Sequence, residues 1–144
     1  MFRRLSDQVL ASPQISLNDL AEAKALGVGL VINNRPEGES DDQVPGAEVE
    51  ATARALGLDY VAIPVTHAGF SGPQVEAMAS ALAGAQGQVL AYCRSGTRSS
   101  LLWGLAEASL GGDPHALSAQ AAQAGYDLGP VRALMDMLKA KSGA

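Results

Sequence analysis

Three short apolar runs, residues 30–32, 60–63 and 89–92, set the rhythm of the chain. Each is too short for a helix and rich in β-branched or aromatic side chains, and none alternates strictly with polar residues. That pattern predicts strands covered on both faces. Residues 2–12 read as shorter extended pieces, broken at Ser6-Asp7 and ended by Pro13. Between and after the strands lie stretches with helical spacing and helix-end signals. Ser16, with Asp19 three residues on, caps a helix over 17–26 that stops at Gly27. Further helices are predicted over 46–56, closed by Gly57, and over 72–85, capped by Ser71. A helix over 97–110 ends at Gly111-Gly112, Asp113-Pro114 opens one reaching 124, and a last one covers 130–140.

Strand and helix alternate through the first two-thirds of the chain. The expectation is therefore an α/β fold of three layers, a mostly parallel central sheet of four to five strands with helices on both faces. In such sheets ligands bind beyond the carboxyl ends of the strands. Cys93 occupies one such end, and residues 33–36 and 64–67 occupy others.

Composition narrows this further. The 144 residues fit one domain, with a short flexible tail, and 47% hydrophobic content is ordinary for a packed core. A net charge of −5 argues against nucleic acid as a partner, since phosphate neutralisation needs a basic stripe. No apolar stretch approaches a membrane span, and the arginines of Met1-Phe2-Arg3-Arg4 are not followed by the apolar run of a secretory signal. A cytoplasmic location is expected. No metal-ligand cluster or dinucleotide fingerprint is visible, so no cofactor is expected.

The single cysteine excludes an internal disulfide. Its surroundings are Tyr92-Cys93-Arg94-Ser95-Gly96-Thr97-Arg98-Ser99, between a strand and a helix. Successive N–H groups of a tight turn form a nest for anions, and Gly96 lets the backbone turn without a side-chain penalty. The helix N-terminus adds unpaired N–H groups and a positive end. Arg98 can fork onto two oxygens of an anion. The same field favours a thiolate, so Cys93 is the candidate nucleophile and Arg98 its catalytic partner. Arg94, Ser95, Gly96, Thr97 and Ser99 make up the anion-binding loop. Arg35 and His67 are rim candidates, Arg35 either clamping an anionic substrate or pairing with Glu37, Glu39 or Asp41. The acidic run 37–42 reads as a solvated loop or lid. Trp103 is expected in the core and His115 on the surface.

The loop resembles two related active sites: that of rhodanese sulfurtransferases, in which Cys-Arg-Ser-Gly-x-Arg-Ser is common, and the Cys-x5-Arg signature of tyrosine and dual-specificity phosphatases. Most of residues 2–110 is similar to the bacterial beta-lactamase-hydrolase-like, phosphatase-like family. The matching segments are Ser12-Pro13-Gln14, Val31-Ile32-Asn33-Asn34-Arg35-Pro36, Ala55-Leu56-Gly57, Ile63-Pro64-Val65 and the loop itself. The resemblance implies a phosphotyrosine-phosphatase-like fold and an association with persulfide-oxidising enzymes.

Two departures from the phosphatase pattern bear on the chemistry. Cys93-x4-Arg98 is one residue shorter than Cys-x5-Arg, which should shrink the amide ring and redirect the arginine. The loop that carries an acidic Asp in dual-specificity phosphatases reads Pro64-Val65-Thr66-His67-Ala68-Gly69-Phe70, with no carboxylate. Both favour sulfur transfer. In that reading Cys93 takes a sulfur from a small anionic donor, such as thiosulfate or a low-molecular-weight persulfide, and an external thiol acceptor removes it. The alternative is a phosphatase acting on a phosphorylated substrate through a phosphocysteine, and the third is an idle anion-binding regulatory module. Oligomeric state is not legible.

Overall fold

Apolar runs bury both faces only when strands pair inside a covered sheet. Residues 30–32 and 89–92 do so. The run at 60–63 lies on the sheet edge, with Tyr60 and Val61 half-buried and Ala62 exposed, because only one neighbour pairs with it. The computed structural model describes residues 2–143. Met1, before the arginine pair, and Ala144, in the expected tail, lie outside the described residues. In chain order the elements are β1 (Arg3–Arg4), β2 (Val9–Ser12), α1 (Leu17–Ala25), β3 (Val28–Asn33), α2 (Gly46–Ala55) and β4 (Asp59–Ala62). They continue with α3 (Gly72–Gly84), β5 (Gln88–Tyr92), α4 (Thr97–Ser109), α5 (Pro114–Gln123), a 3-10 turn (Gly129–Val131) and α6 (Arg132–Ser142). The sheet order is β1-β2-β5-β3-β4, parallel throughout except for the β1–β2 hairpin.

The pleat sends alternate side chains to opposite layers. Val9, Ala11, Leu30, Ile32, Val89 and Ala91 join the core beneath α3, α4, α5 and α6. Leu10, Val31, Leu90 and Tyr92 face the other layer, built by α1 and α2. Val28 also faces that second layer, because the register shifts between it and Leu30. Trp103 is fully buried and His115 is exposed.

Two helix starts, those of α1 and α5, carry a side-chain cap. The Ser16 hydroxyl accepts from the Asp19 N–H at 3.3 Å, and the Asp19 carboxylate accepts from the Ser16 N–H at 2.8 Å. Asp113 accepts from the Ala116 N–H at 3.2 Å. The last helix departs from expectation. Residues 129–131 form a 3-10 turn, in which the Val131 N–H reaches Leu128 O at 3.0 Å, and the α-helix begins at Arg132 rather than at Pro130. No helix among the described residues is long and apolar enough to cross a membrane.

Candidate active site

Four parallel strands end on one side of the sheet, and their loops are stitched together there by backbone bonds. The Cys93 N–H reaches Ser12 O at 3.3 Å, and the Gln14 N–H reaches Arg94 O at 3.2 Å. The Asn34 N–H reaches Tyr92 O at 2.8 Å, and the Val65 N–H reaches Asn34 O at 3.0 Å. The ends of β2, β3, β4 and β5 thus form one rigid floor. Cys93 lies in that floor, at the carboxyl end of β5 and fully buried.

The loop turns sharply after the cysteine. Gly96 has φ +91°, a left-handed conformation that side-chain-bearing residues rarely adopt. This turn aims the Gly96 N–H at Cys93 Sγ, 3.1 Å away. Gly96 is also the N-cap of α4, so the positive end of that helix abuts the sulfur. Ser95 and Thr97 are exposed and bonded to each other, hydroxyl to hydroxyl, at 3.0 Å. Ser99 is buried and donates to Asn34 Oδ1 at 2.8 Å, and Asn34 Nδ2 donates to Ile63 O at 2.9 Å. Ser99 therefore ties the start of α4 to the ends of β3 and β4 rather than to the sulfur.

Arg98 reaches across the cleft. Its Nη1 donates to Glu39 Oε2 and to Val65 O, both at 2.7 Å, and its Nη2 donates to Glu39 Oε1 at 2.8 Å. The guanidinium thus grips a two-oxygen anion in its fork, and that anion belongs to the chain itself. With this short loop the arginine lies against the cleft, bonded to Glu39 and Val65. The Arg98 guanidinium, helped by Arg35, holds the Glu39 carboxyl down at about 2, although partial burial works the other way.

Arg35 is buried, and each of its guanidinium nitrogens is engaged. Nε donates to Glu39 Oε1 at 2.9 Å, Nη1 to Gln14 Oε1 at 2.9 Å and Nη2 to Ser40 Oγ at 3.1 Å. The acidic segment is a loop exposed at Glu37, Gly38, Asp41 and Asp42, as expected, and is tied down at Glu39 and Ser40. Gln43 accepts from the Glu39 N–H at 2.9 Å and donates to Pro36 O at 2.9 Å, while Glu37 accepts from the Gly46 N–H at 2.9 Å, at the start of α2. Glu39, His67, Arg94 and Arg98 line a cleft of about 240 Å³ above the loop. Among the described residues, no group of three or more His, Cys, Asp or Glu side chains is placed to hold a metal ion.

Glu39 was one of three candidate partners for Arg35, but nothing in the sequence linked it to Arg98, 59 positions away. Gln14 and Asn34 fall within segments that carried the family resemblance. Tyr126, whose hydroxyl lies 3.4 Å from Ser95 O, gave no sequence signal.

Residues 1–110 match the family described as beta-lactamase hydrolase-like protein, phosphatase-like domain. A beta-lactamase hydrolase-like protein of Agrobacterium fabrum is 32% identical over 105 residues, 73% of this chain and 24% of the relative. The chain thus spans about a quarter of that relative's length. Among solved structures, a candidate phosphatase from Neisseria meningitidis superposes with a TM-score of 0.81 at 31% identity, covering 94% of this chain and 96% of that one. A candidate phosphatase from Shewanella putrefaciens gives 0.73 at 27% identity, covering 99% and 93%. P. aeruginosa TpbA, solved in complex with phosphotyrosine, shares the fold at a TM-score of 0.69 and 15% identity, covering 99% and 90%.

These likenesses overturn the expectation of sulfur transfer and of a sulfurtransferase enzyme. The short loop and the missing carboxylate both favoured sulfur, yet the loop sits in a scaffold that matches chains described as phosphatases over nearly its whole length, and its arginine closes on a carboxylate. A sulfur donor and a thiol acceptor are set aside with it. By its residues 1–110, the chain belongs to the beta-lactamase hydrolase-like family, of which it carries the phosphatase-like domain.

Proposed function

We propose that the chain is a cysteine-dependent phosphoric monoester hydrolase. The observation that carries this reading is the pairing of Cys93 Sγ, 3.1 Å from an inward N–H, with an arginine fork that already binds two oxygens in the adjoining cleft. A nucleophile beneath an oxyanion site is what displacement at phosphorus requires.

In the first step the Cys93 thiolate attacks phosphorus. A sulfur–phosphorus bond forms, the bond from phosphorus to the ester oxygen breaks, and the alcohol or phenol leaves with a proton. In the second step water attacks the phosphocysteine, releasing inorganic phosphate and restoring the thiolate. Arg98 binds two non-bridging oxygens, and the loop N–H groups around Ser95, Gly96 and Thr97 neutralise the rest of the charge that builds up. Arg94 attracts the anion at the mouth of the cleft. Arg35 acts at one remove, holding Glu39 and so giving the carboxylate a second cation to rest on when substrate takes the Arg98 fork. His67 supplies the leaving-group proton. The phosphotyrosine bound by a protein of the same fold supports an aryl phosphate as substrate.

The test is hydrolysis of p-nitrophenyl phosphate by the purified chain and its C93S form, with quenched-flow mass spectrometry to catch a phosphorylated cysteine. Turnover lost in C93S, with a phosphate adduct on the native chain, is the expected result, because a serine hydroxyl is far less acidic than a thiol. Absence of both turnover and adduct across aryl and alkyl phosphates would remove the proposal.

A further inference from the structure

A trans peptide points its C=O and its N–H in opposite directions. The peptide joining Ser95 to Gly96 uses both. Its N–H faces Cys93 Sγ at 3.1 Å, and its carbonyl oxygen faces the Tyr126 hydroxyl at 3.4 Å. Sulfur and phenol therefore bracket one peptide plane. The phenol presses close as well. A Cβ on Gly96 would lie 2.1 Å from the Tyr126 hydroxyl oxygen, so the hydroxyl fills the space behind the loop.

Tyr126 is itself fixed. It follows Gly125, whose left-handed φ of +93° ends α5. The Gly125 N–H reaches Ala122 O at 3.0 Å, and the Tyr126 N–H reaches Ala121 O at 2.9 Å, the two bonds of a Schellman cap. From β1, Arg3 stacks over the ring at 5.7 Å from its centroid and donates from Nη1 to Ala124 O at 3.0 Å. Tyr126 lies beyond residues 1–110, so the region outside the family match reaches back to the nucleophile loop.

We propose that Tyr126 is a positioning residue that locks the Ser95–Gly96 peptide with its N–H toward Cys93 Sγ. Glycine at position 96 makes the loop bendable, and the same freedom allows this peptide to flip. A flipped peptide would turn a carbonyl oxygen toward the sulfur, which repels a thiolate and any phosphate held above it. The phenolic O–H opposes the flip by donating to the carbonyl from behind.

The inference rests on the proposed hydrolase for its catalytic consequence but not for its test. Cys93 is the chain's single cysteine, so iodoacetamide alkylation at fixed neutral pH reads that sulfur directly. Y126F removes one oxygen and keeps the ring. Its alkylation rate should fall roughly two- to threefold, the lower range for one hydrogen bond, since the contact is long at 3.4 Å, with an unchanged melting temperature. On p-nitrophenyl phosphate, kcat should fall by a similar factor with KM nearly constant. An alkylation rate equal to that of the native chain would overturn the proposal. If the native chain hydrolyses no phosphate ester, the hydrolase reading fails, and the alkylation comparison still decides the role of Tyr126.

Discussion

Glu39 fills the fork of Arg98, its Oε2 on Nη1 at 2.7 Å and its Oε1 on Nη2 at 2.8 Å. Those are the donors that a phosphate in the cleft needs. Substrate and Glu39 therefore compete for one guanidinium, and binding includes the exchange of one anion for the other.

The competition is measurable. In E39Q the side chain keeps an acceptor but loses its charge. Orthovanadate should inhibit E39Q at about tenfold lower concentration than the native chain, and KM for aryl phosphates should fall similarly, since a charge-assisted hydrogen bond is worth roughly 1.5–3 kcal/mol. Steady-state inhibition curves on both proteins check this. Unchanged inhibition would mean that the anion binds without displacing the carboxylate.

The same pair makes stability depend on pH. Glu39 is held at about 2, below its ordinary 4.5, first by hydrogen bonding to Arg98. A depressed carboxyl stabilises the fold fully above its unfolded value and stops doing so as pH falls through the folded one. The contribution, on the order of 2 kcal/mol after solvent screening, should be intact at pH 6 and fade between about pH 4.5 and 2. Urea unfolding of the native chain and E39Q at pH 6, 4 and 3 measures it. The gap between the two proteins should narrow as pH falls, and a constant gap would assign the effect to other carboxylates.

Arg98 should not accept lysine. An ammonium is a point donor and cannot grip two oxygens while also holding Val65 O, as Arg98 does. R98K should lower kcat/KM on p-nitrophenyl phosphate roughly 100-fold, comparable to loss of a principal oxyanion donor. Retention of more than half the native value would take the fork out of the reaction.

Much of this site was legible in the sequence because its parts are local. Strand, cysteine, glycine turn and helix start are contiguous, and residues 89–98 spell out their own geometry through burial, left-handed glycine and capping. The α/β pattern was legible for the same reason, since apolar runs covered on both faces have few other ways to fold. Pairings across long separations were not. Glu39 and Arg98 meet only because β3 and β5 are neighbours in the sheet, and Tyr126 reaches Ser95 only because α5 packs against α4, which starts at the loop. The loop length misled for a related reason. Counting residues between Cys93 and Arg98 treats the ring as free-standing, whereas Val65 O and Glu39 hold the arginine toward the cleft from outside it.

His67 lines the cleft on the loop after β4, exposed and on the same rim as Arg94. Glu39, the other proton-carrying side chain lining that cleft, is held well below its ordinary range by Arg98 and Arg35, so it meets the incoming substrate ionised. The need for a donor depends on what leaves. Nitrophenolate departs as a stable anion, whereas an alkoxide or a simple phenolate leaves far faster with a proton. H67Q should therefore hydrolyse p-nitrophenyl phosphate within about threefold of the native rate but slow about 100-fold on alkyl phosphates, the lower range of general-acid effects. Plotting log kcat against leaving-group acidity across a series of phosphate esters reads this directly. The native line should be shallow, because protonation compensates for a poor leaving group, and the H67Q line steep. Two lines of equal slope would show that His67 shapes the rim without donating, and the proton would then have to come from water.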